Sequence, residues 1–393
     1  MAHFCFINYD TYLASLFKFP HMRRLLLCMF IVSLSMSIVG LALPIYAREE
    51  LGASYTEIGL LGVTYCVLNA GFSVPVGRWM DRHGRKPLLG IGLLSLAFTF
   101  ALFALTRSVW QVLAIRFIVG AAEAPIWVGA QTAIADLSRP ETRGRAMGAY
   151  GISWSAGFTL GPLLGGFLYA AAGASLTFVI GALVALASVI VLLATPLPKI
   201  VLKSARLSDR GMRRGLGPAC FVGFIYVGIV SVIFTLFPAY ALAVGLNVGK
   251  IGLLLMLFTA VRMVLFLPFG ALSDRVGYRP VLLWGLLGVS AACLGVATIE
   301  GFVGLAIAIS FLGIMEGAIY PTVMSMTSKM GGMLNRGYAL GVLNAAAMVG
   351  WGTLPGVGGV AADIAGGSAP YVLCALIAFA AACVTLRLIP KKL

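Results

Sequence analysis

The chain has 393 residues, 61% of them hydrophobic and only 10% charged, with a mean hydropathy of +1.01. A soluble domain of this length needs far more polar surface, so the composition excludes a water-soluble enzyme and makes lipid the expected solvent. The net charge of +15 does not point to nucleic acid, because no basic cluster interleaved with aromatics sits on a water-soluble module.

In chain order, residues 1–22 are too mixed to cross a bilayer and are expected to form a cytoplasmic extension, either an interfacial helix or a loosely ordered segment. The apolar run after Arg23 and Arg24 lacks a small-residue cleavage site, so it is expected to remain as the first span. A hydrocarbon core of ~30 Å needs ~20 apolar residues per helix. Cutting at charges, glycines and prolines then gives spans at 23–47, 55–79, 87–106, 109–135, 145–170, 174–196, 217–244, 250–272, 280–299, 301–328, 337–362 and 369–388. The expected fold is an all-α integral membrane protein of twelve helices in two pseudo-symmetric six-helix bundles. These occupy 23–196 and 217–388, with a basic cytoplasmic linker at 197–216 and a tail at 389–393. The 48 glycines favour close packing of many helices, since small residues let backbones approach where lipid supplies no hydrophobic drive.

With both termini placed in the cytoplasm, 23 Lys and Arg fall in the inner segments and only three, Arg48, Arg107 and Lys250, in the outer loops. This bias fixes the orientation by the positive-inside rule and accounts for the basic pI; it predicts a multi-pass protein of the plasma (inner) membrane. The seven cysteines are scattered through apolar stretches without metal-ligand spacing, and His3, His21 and His83 all lie outside the spans. No nucleophile elbow, HExxH or phosphate-binding loop is present, so neither an intramembrane enzyme nor ATP coupling is supported.

Shifting the chain by 193 residues aligns GRWMDRHGRKPLL at 77–89 with GALSDRVGYRPVL at 270–282. Gly77, Asp81, Arg82, Gly84 and Pro87 recur as Gly270, Asp274, Arg275, Gly277 and Pro280. The same offset pairs Pro75 with Pro268, Glu123 with Glu316, Arg143 and Gly144 with Arg336 and Gly337, and Pro162, Gly165 and Gly166 with Pro355, Gly358 and Gly359. An even number of spans per half makes the repeats parallel, related by an axis along the membrane normal.

On these residues the sequence resembles the major facilitator superfamily, and within it the twelve-helix drug and proton antiporters. Gly77, Asp81, Arg82, Gly84, Arg85 and Lys86 are similar to the family's loop signature after span 2. The resemblance implies a charge cluster that latches the halves on the cytoplasmic side in the outward-facing state. Topology-setting positive charge alone is the other reading of this cluster. Its second copy keeps Asp274 and Arg275 but has Tyr278 in place of a basic residue. Span 5 carries GFTLGPLLGG at 157–166, similar to the antiporter pattern with Gly157, Gly161, Pro162, Gly165 and Gly166. These residues suit either a generic packing face or a helix that pivots between the halves.

Four ionisable residues fall well inside spans: Arg116, Glu123, Arg262 and Glu316. A charge at mid-bilayer costs at least ~2.5 kcal/mol, so such residues face a cavity or one another. Arg116, Gly120 and Glu123 share one face of span 4, with the charges ~10 Å apart. A direct ion pair fixing helix register, a bridging water or a substrate group between them are all open. Glu123 and Glu316, with Arg116, are the proton-coupling candidates, because protonation neutralises a carboxylate for movement between access states. Arg262 either contacts an anionic substrate or holds Glu316 in place. Asn69, Trp127, Gln131, Trp154, Tyr320 and Asn344, with Arg262, are the expected substrate contacts.

The expected function is proton-coupled antiport by alternating access, exporting a small amphipathic organic compound. The proton gradient drives it without a cofactor or metal, and the chain acts as a monomer in the bilayer without nucleic acid. Uptake or exchange of an organic anion, and flipping of a lipid-like amphiphile, are the alternatives within transport; a polytopic membrane enzyme or receptor is the alternative from another class.

Overall fold

The computed structural model describes residues 20–138, 143–197 and 213–389. Residues 1–19 of the expected N-terminal extension, 198–212 of the linker and 390–393 of the tail lie outside the described residues, as do the side chains of Asp81, Arg143, Arg145 and Arg336. Among the described residues there are eleven helices and no strand: α1 (Pro20–Glu49), α2 (Tyr55–His83), α3 (Arg85–Phe103), α4 (Val109–Leu137), α5 (Arg143–Leu193), α6 (Arg213–Thr235), α7 (Phe237–Ala243), α8 (Val248–Val276), α9 (Tyr278–Thr298), α10 (Phe302–Ala365) and α11 (Ala369–Leu388).

Two of these helices each hold two crossings. The 51 residues of α5 are far too long for one bilayer, and Gly173, at φ 74° and ψ 179°, breaks the helix between spans 5 and 6. Similarly, α10 supplies the spans Phe302–Lys329 and Ala339–Ala365. The expected span 217–244 is divided into α6 and α7, because Pro238 has no N–H with which to continue the helical ladder. With α5 counted as two, the apolar runs long enough to span number twelve among the described residues.

The offset of 193 residues persists in three dimensions. Ser54 caps α2 by accepting from Glu57 N, and Asn247 caps α8 by accepting from Lys250 N. Gly84 and Gly277 both take φ 91° at the turn leading into α3 and α9. Lys86 Nζ donates to Leu193 O at 2.9 Å, and Arg279 Nη2 donates to Leu386 O at 2.6 Å.

The first half packs α1 on α5, α2 on α4, and α3 on both α4 and α5; the second packs α6, α8 and α9 on α10, and α9 on α11. The halves meet where α2 lies on α10 and α5 on α8. Glycines let backbones touch there. A Cβ on Gly59 would overlap Pro355 O, and one on its counterpart Gly252 would overlap Pro162 O. A Cβ on Gly359 would overlap Tyr55 O, and one on Gly166 would lie 2.9 Å from Val248 O.

All four contacts lie at the helix ends facing the cation-poor side. The α2–α10 seam continues as far as Cys66, whose Sγ donates to Met348 O at 2.8 Å. Farther toward the cation-rich side the seam faces no longer touch: Gly341 and Gly148, each 18 residues before a seam glycine and so on the same helix face, have open space around them. The structure is therefore closed on the cation-poor side and parted on the other.

Candidate functional site

Gly120 brings α4 against α2 so closely that a Cβ there would overlap Tyr65 O. That approach delivers the Tyr65 hydroxyl to Glu123, where it donates to Oε2 at 2.9 Å. Trp127, one turn after Glu123, donates its Nε1–H to the same oxygen at 3.1 Å. Glu123 is only 6% exposed, and no described donor reaches its Oε1. Asn69 donates to Tyr65 Oη and to Gly120 O, both at 3.3 Å, and so fixes the tyrosine.

Arg116 does not pair with Glu123. Its guanidinium lies 4.7 Å over the Tyr65 ring and its Nε donates to Leu61 O at 3.4 Å. Of the arrangements left open by the spacing, the direct ion pair is thus not formed. The two turns between the residues are spanned by the Tyr65 ring instead.

The second half repeats the scaffold but changes the chemistry. A Cβ on Gly313 would lie 2.6 Å from Phe258 O, the same close approach at the same offset. Phe258 stands where the first half has Tyr65, and it has no hydroxyl to offer. Glu316 is accordingly fully buried, 0% exposed, with neither carboxylate oxygen hydrogen-bonded among the described residues. Arg262 replaces Asn69 at the equivalent position; its guanidinium lies 5.6 Å from both the Phe258 and Phe266 rings. It is 8% exposed and its Nη1 has no partner among the described residues. Tyr320, the counterpart of Trp127, packs on Phe266 at 5.0 Å and Tyr226 at 5.9 Å.

A chain of aromatic rings joins the halves around Glu123. Trp127 stacks on Phe158 at 6.3 Å, Phe158 meets Phe234 at 6.2 Å, Phe234 stacks on Trp351 at 6.4 Å, and Trp351 meets Tyr65 at 6.4 Å. Since Trp127 and Tyr65 both donate to Glu123 Oε2, the circuit closes on that carboxylate. Trp154 leans on Trp127 and Phe158 at 6.2 and 5.9 Å, and Phe258 on Phe234 at 6.1 Å.

Of the expected contacts, Asn69, Trp127 and Trp154 join the Glu123 cluster, whereas Arg262 and Tyr320 gather in the second half. Gln131 is exposed beside Tyr150. Asn344 is exposed and its side chain makes no hydrogen bond among the described residues. Tyr65, Phe158 and Phe234 were not singled out by the sequence. Tyr65 was traceable, lying one turn before Asn69 on one face, just as Phe258 precedes Arg262.

The span 5 motif divides its work. Gly157, Gly161 and Gly165, at every fourth position, pack on α1 of their own half, with Cβ positions that would meet Phe30 O, Ser37 and Ile38 O. Only Pro162 and Gly166, on the adjacent face, meet α8 across the seam. The pivot surface is narrower than the motif. Two cations of the expected latch have contacts within the first half. Arg85 is buried against Asp136 of α4 at 3.2 Å, and Lys86 is held by Leu193 O, both inside the first half. Arg82, Asp274 and Arg275 are exposed, and Asp274 accepts from Ser325 of its own half at 3.3 Å. Asp81's side chain lies outside the described residues.

Tyr65→Phe gives the first cluster the ring that the second half carries at this position. Loss of a hydrogen bond to a carboxylate is expected to cost about 1.5–3 kcal/mol. It should lower the melting midpoint of the purified protein while leaving its helical content unchanged by circular dichroism.

Two helical bundles in parallel orientation around a shared central cluster are the arrangement of transporters built from parallel repeats. A sequence profile described as Major Facilitator Superfamily matches residues 25–218 and again 219–392. The chain belongs to the major facilitator superfamily and is a membrane transporter, not an enzyme. It is 26% identical over 344 residues to multidrug resistance protein 1 of Bacillus subtilis, covering 83% of this chain and 86% of that one. It is also 26% identical over 328 residues to the class D tetracycline resistance protein of Salmonella ordonez, covering 78% and 81%. Among solved structures, an inward-facing, occupied bacterial homologue of the human lysosomal transporter Spinster superposes with a TM-score of 0.79 at 16% identity, covering 93% and 96%.

Proposed function

We propose that this transporter is a proton-coupled antiporter exporting an amphipathic organic cation from the cytoplasm across the inner membrane, as a monomer. The observation that carries this reading is the closed aromatic circuit anchored on Glu123. Flat π-faces attract an apolar or cationic guest, and the carboxylate supplies the one full negative charge among them. The drug-resistance relatives support the substrate class and the direction. On this reading the cation-rich side is cytoplasmic and the structure is the inward-facing state.

The two carboxylates divide the coupling. Glu123, with Oε1 free of donors, is where substrate and proton compete. Glu316, screened from every described donor, takes up and releases the coupled proton as the halves rock, and Arg262 sets its surroundings. Arg116, stacked on Tyr65, tunes the donor that holds Glu123.

Reconstituted vesicles test this. An imposed pH gradient should drive a fluorescent lipophilic cation against its own gradient. Glu316→Gln should abolish that concentration while cation exchange at equal pH survives. Gradient-driven transport surviving in both Glu316→Gln and Glu123→Gln removes the proton assignment. A second reading, exchange of an organic anion, is favoured by the buried, unpartnered Nη1 of Arg262. It requires transport of anionic dyes and its loss in Arg262→Ala.

A further inference from the structure

The contacts that close the cation-poor side are pseudo-symmetric in their glycines, but one is not duplicated. Asp363, near the end of α10, reaches the first turn of α2 in the opposite half. Its Oδ1 accepts from Tyr55 N at 2.9 Å and its Oδ2 from Thr56 N at 2.8 Å. A helix start leaves its first N–H groups without intrahelical partners, and a carboxylate there gains from both hydrogen bonds and the helix dipole. The rest of that turn is already self-satisfied. Glu57 N bonds to Ser54 Oγ at 3.1 Å and Ser54 N to Glu57 Oε2 at 2.9 Å. Arg48 steadies the turn by lying 4.6 Å over the Tyr55 ring and donating to Ala53 O at 2.7 Å. The two remaining N–H groups are therefore satisfied by the other half alone.

The counterpart seam lacks this device. The offset that maps Tyr55 and Thr56 onto Val248 and Gly249 maps Asp363 onto Ala170. The backbone approach is nonetheless kept, because Gly166 meets Val248 O as Gly359 meets Tyr55 O. Asn247 caps Lys250 N at 2.9 Å, while Val248 N and Gly249 N have no protein partner among the described residues.

We propose that Asp363 is a positioning residue for the transport cycle. It is a one-sided clasp whose two hydrogen bonds form only when the cation-poor side is closed, and it biases the resting transporter toward the state open on the cation-rich side. The glycine contacts permit closure from either seam; Asp363 rewards it. This rests on the rocking of the two halves and not on the identity of the substrate or coupling ion.

The test is a distance measurement by pulsed electron resonance on the full chain in lipid, without substrate. Genetically encoded spin labels replace Arg107 and Glu300, exposed residues in the α3–α4 and α9–α10 loops on the cation-poor side, one in each half. Asp363→Asn keeps the size but loses the charge and one acceptor. It should raise the ratio of long to short distances about tenfold, the weight of one charge-assisted hydrogen bond. Ala170→Asp builds the missing clasp against Val248 N and Gly249 N and should lower the same ratio about tenfold. The two variants act on different seams, so either one that fails to fold leaves the other to decide. A ratio within about twofold of the parent, or a shift in the opposite sense, overturns the proposal.

Discussion

Glu123→Gln should abolish pH-gradient-driven export and weaken binding of a lipophilic cation roughly thirtyfold or more. Removing one partner of a buried charge pair costs at least ~2 kcal/mol, and 1.4 kcal/mol is a factor of ten in affinity. The substitution isolates charge from structure. The glutamine carbonyl still accepts from Tyr65 Oη and Trp127 Nε1, the two donors that converge on Oε2 at 2.9 and 3.1 Å in the wild type. The melting midpoint should therefore change little, while equilibrium binding and gradient-driven flux both collapse. Binding of a neutral molecule of the same shape should be nearly unaffected, because the aromatic circuit is intact. Equal losses for charged and neutral guests would mean that Glu123 acts through packing, and unchanged export would remove it from the mechanism.

Gly252→Val should leave the protein folded but nearly inactive, trapped away from the closure seen here. A Cβ at this position would overlap Pro162 O, a backbone atom that cannot swing aside as a side-chain tip can. Overpacking of this kind costs about 1–3 kcal/mol, enough to shift a two-state equilibrium about 5- to 150-fold. Helix propensity works in the opposite direction, since valine is intrinsically the better helix former of the two. Any loss must therefore come from the seam. Gly59→Val, whose Cβ would overlap Pro355 O, should behave alike by pseudo-symmetry, whereas Gly71→Ala and Gly341→Ala, in open space, should be silent. Flux in vesicles together with spin-label distances across the cation-poor side checks all four. Normal flux in both valine variants would mean that close backbone approach at this seam is dispensable for the cycle.

Much of the architecture was legible because it is written in local chemistry. Charges and turn glycines mark where each helix leaves the hydrocarbon, and span 12 begins and ends at the expected 369 and 388. The matched cations and carboxylates at one offset gave the repeat, which the caps at Ser54 and Asn247 and the turns at Gly84 and Gly277 reproduce. The candidate site was legible only in part. Glu123 and Glu316 stood out as charges in apolar spans and as partners at the repeat offset, but the offset says nothing of what surrounds each one. The difference between them lies on a neighbouring helix, in Tyr65 against Phe258 and Asn69 against Arg262. The spans of a bundle are apolar on nearly every face, so no periodicity tells which face of α2 meets Glu123.

By itself, then, the sequence determined the solvent, the number and register of the spans, the two-fold repeat and the positions of the buried charges. Each of these follows from the cost of placing a charge or an unpaired backbone group in lipid. Only the tertiary structure decided which charges have partners. It placed Arg116 over Tyr65 and not against Glu123, left Glu316 without a donor, closed the aromatic circuit across the halves and set Asp363 on the first turn of α2. Those outcomes depend on helix rotation and on backbone approach at single glycines, which are fixed by packing between segments remote in the chain.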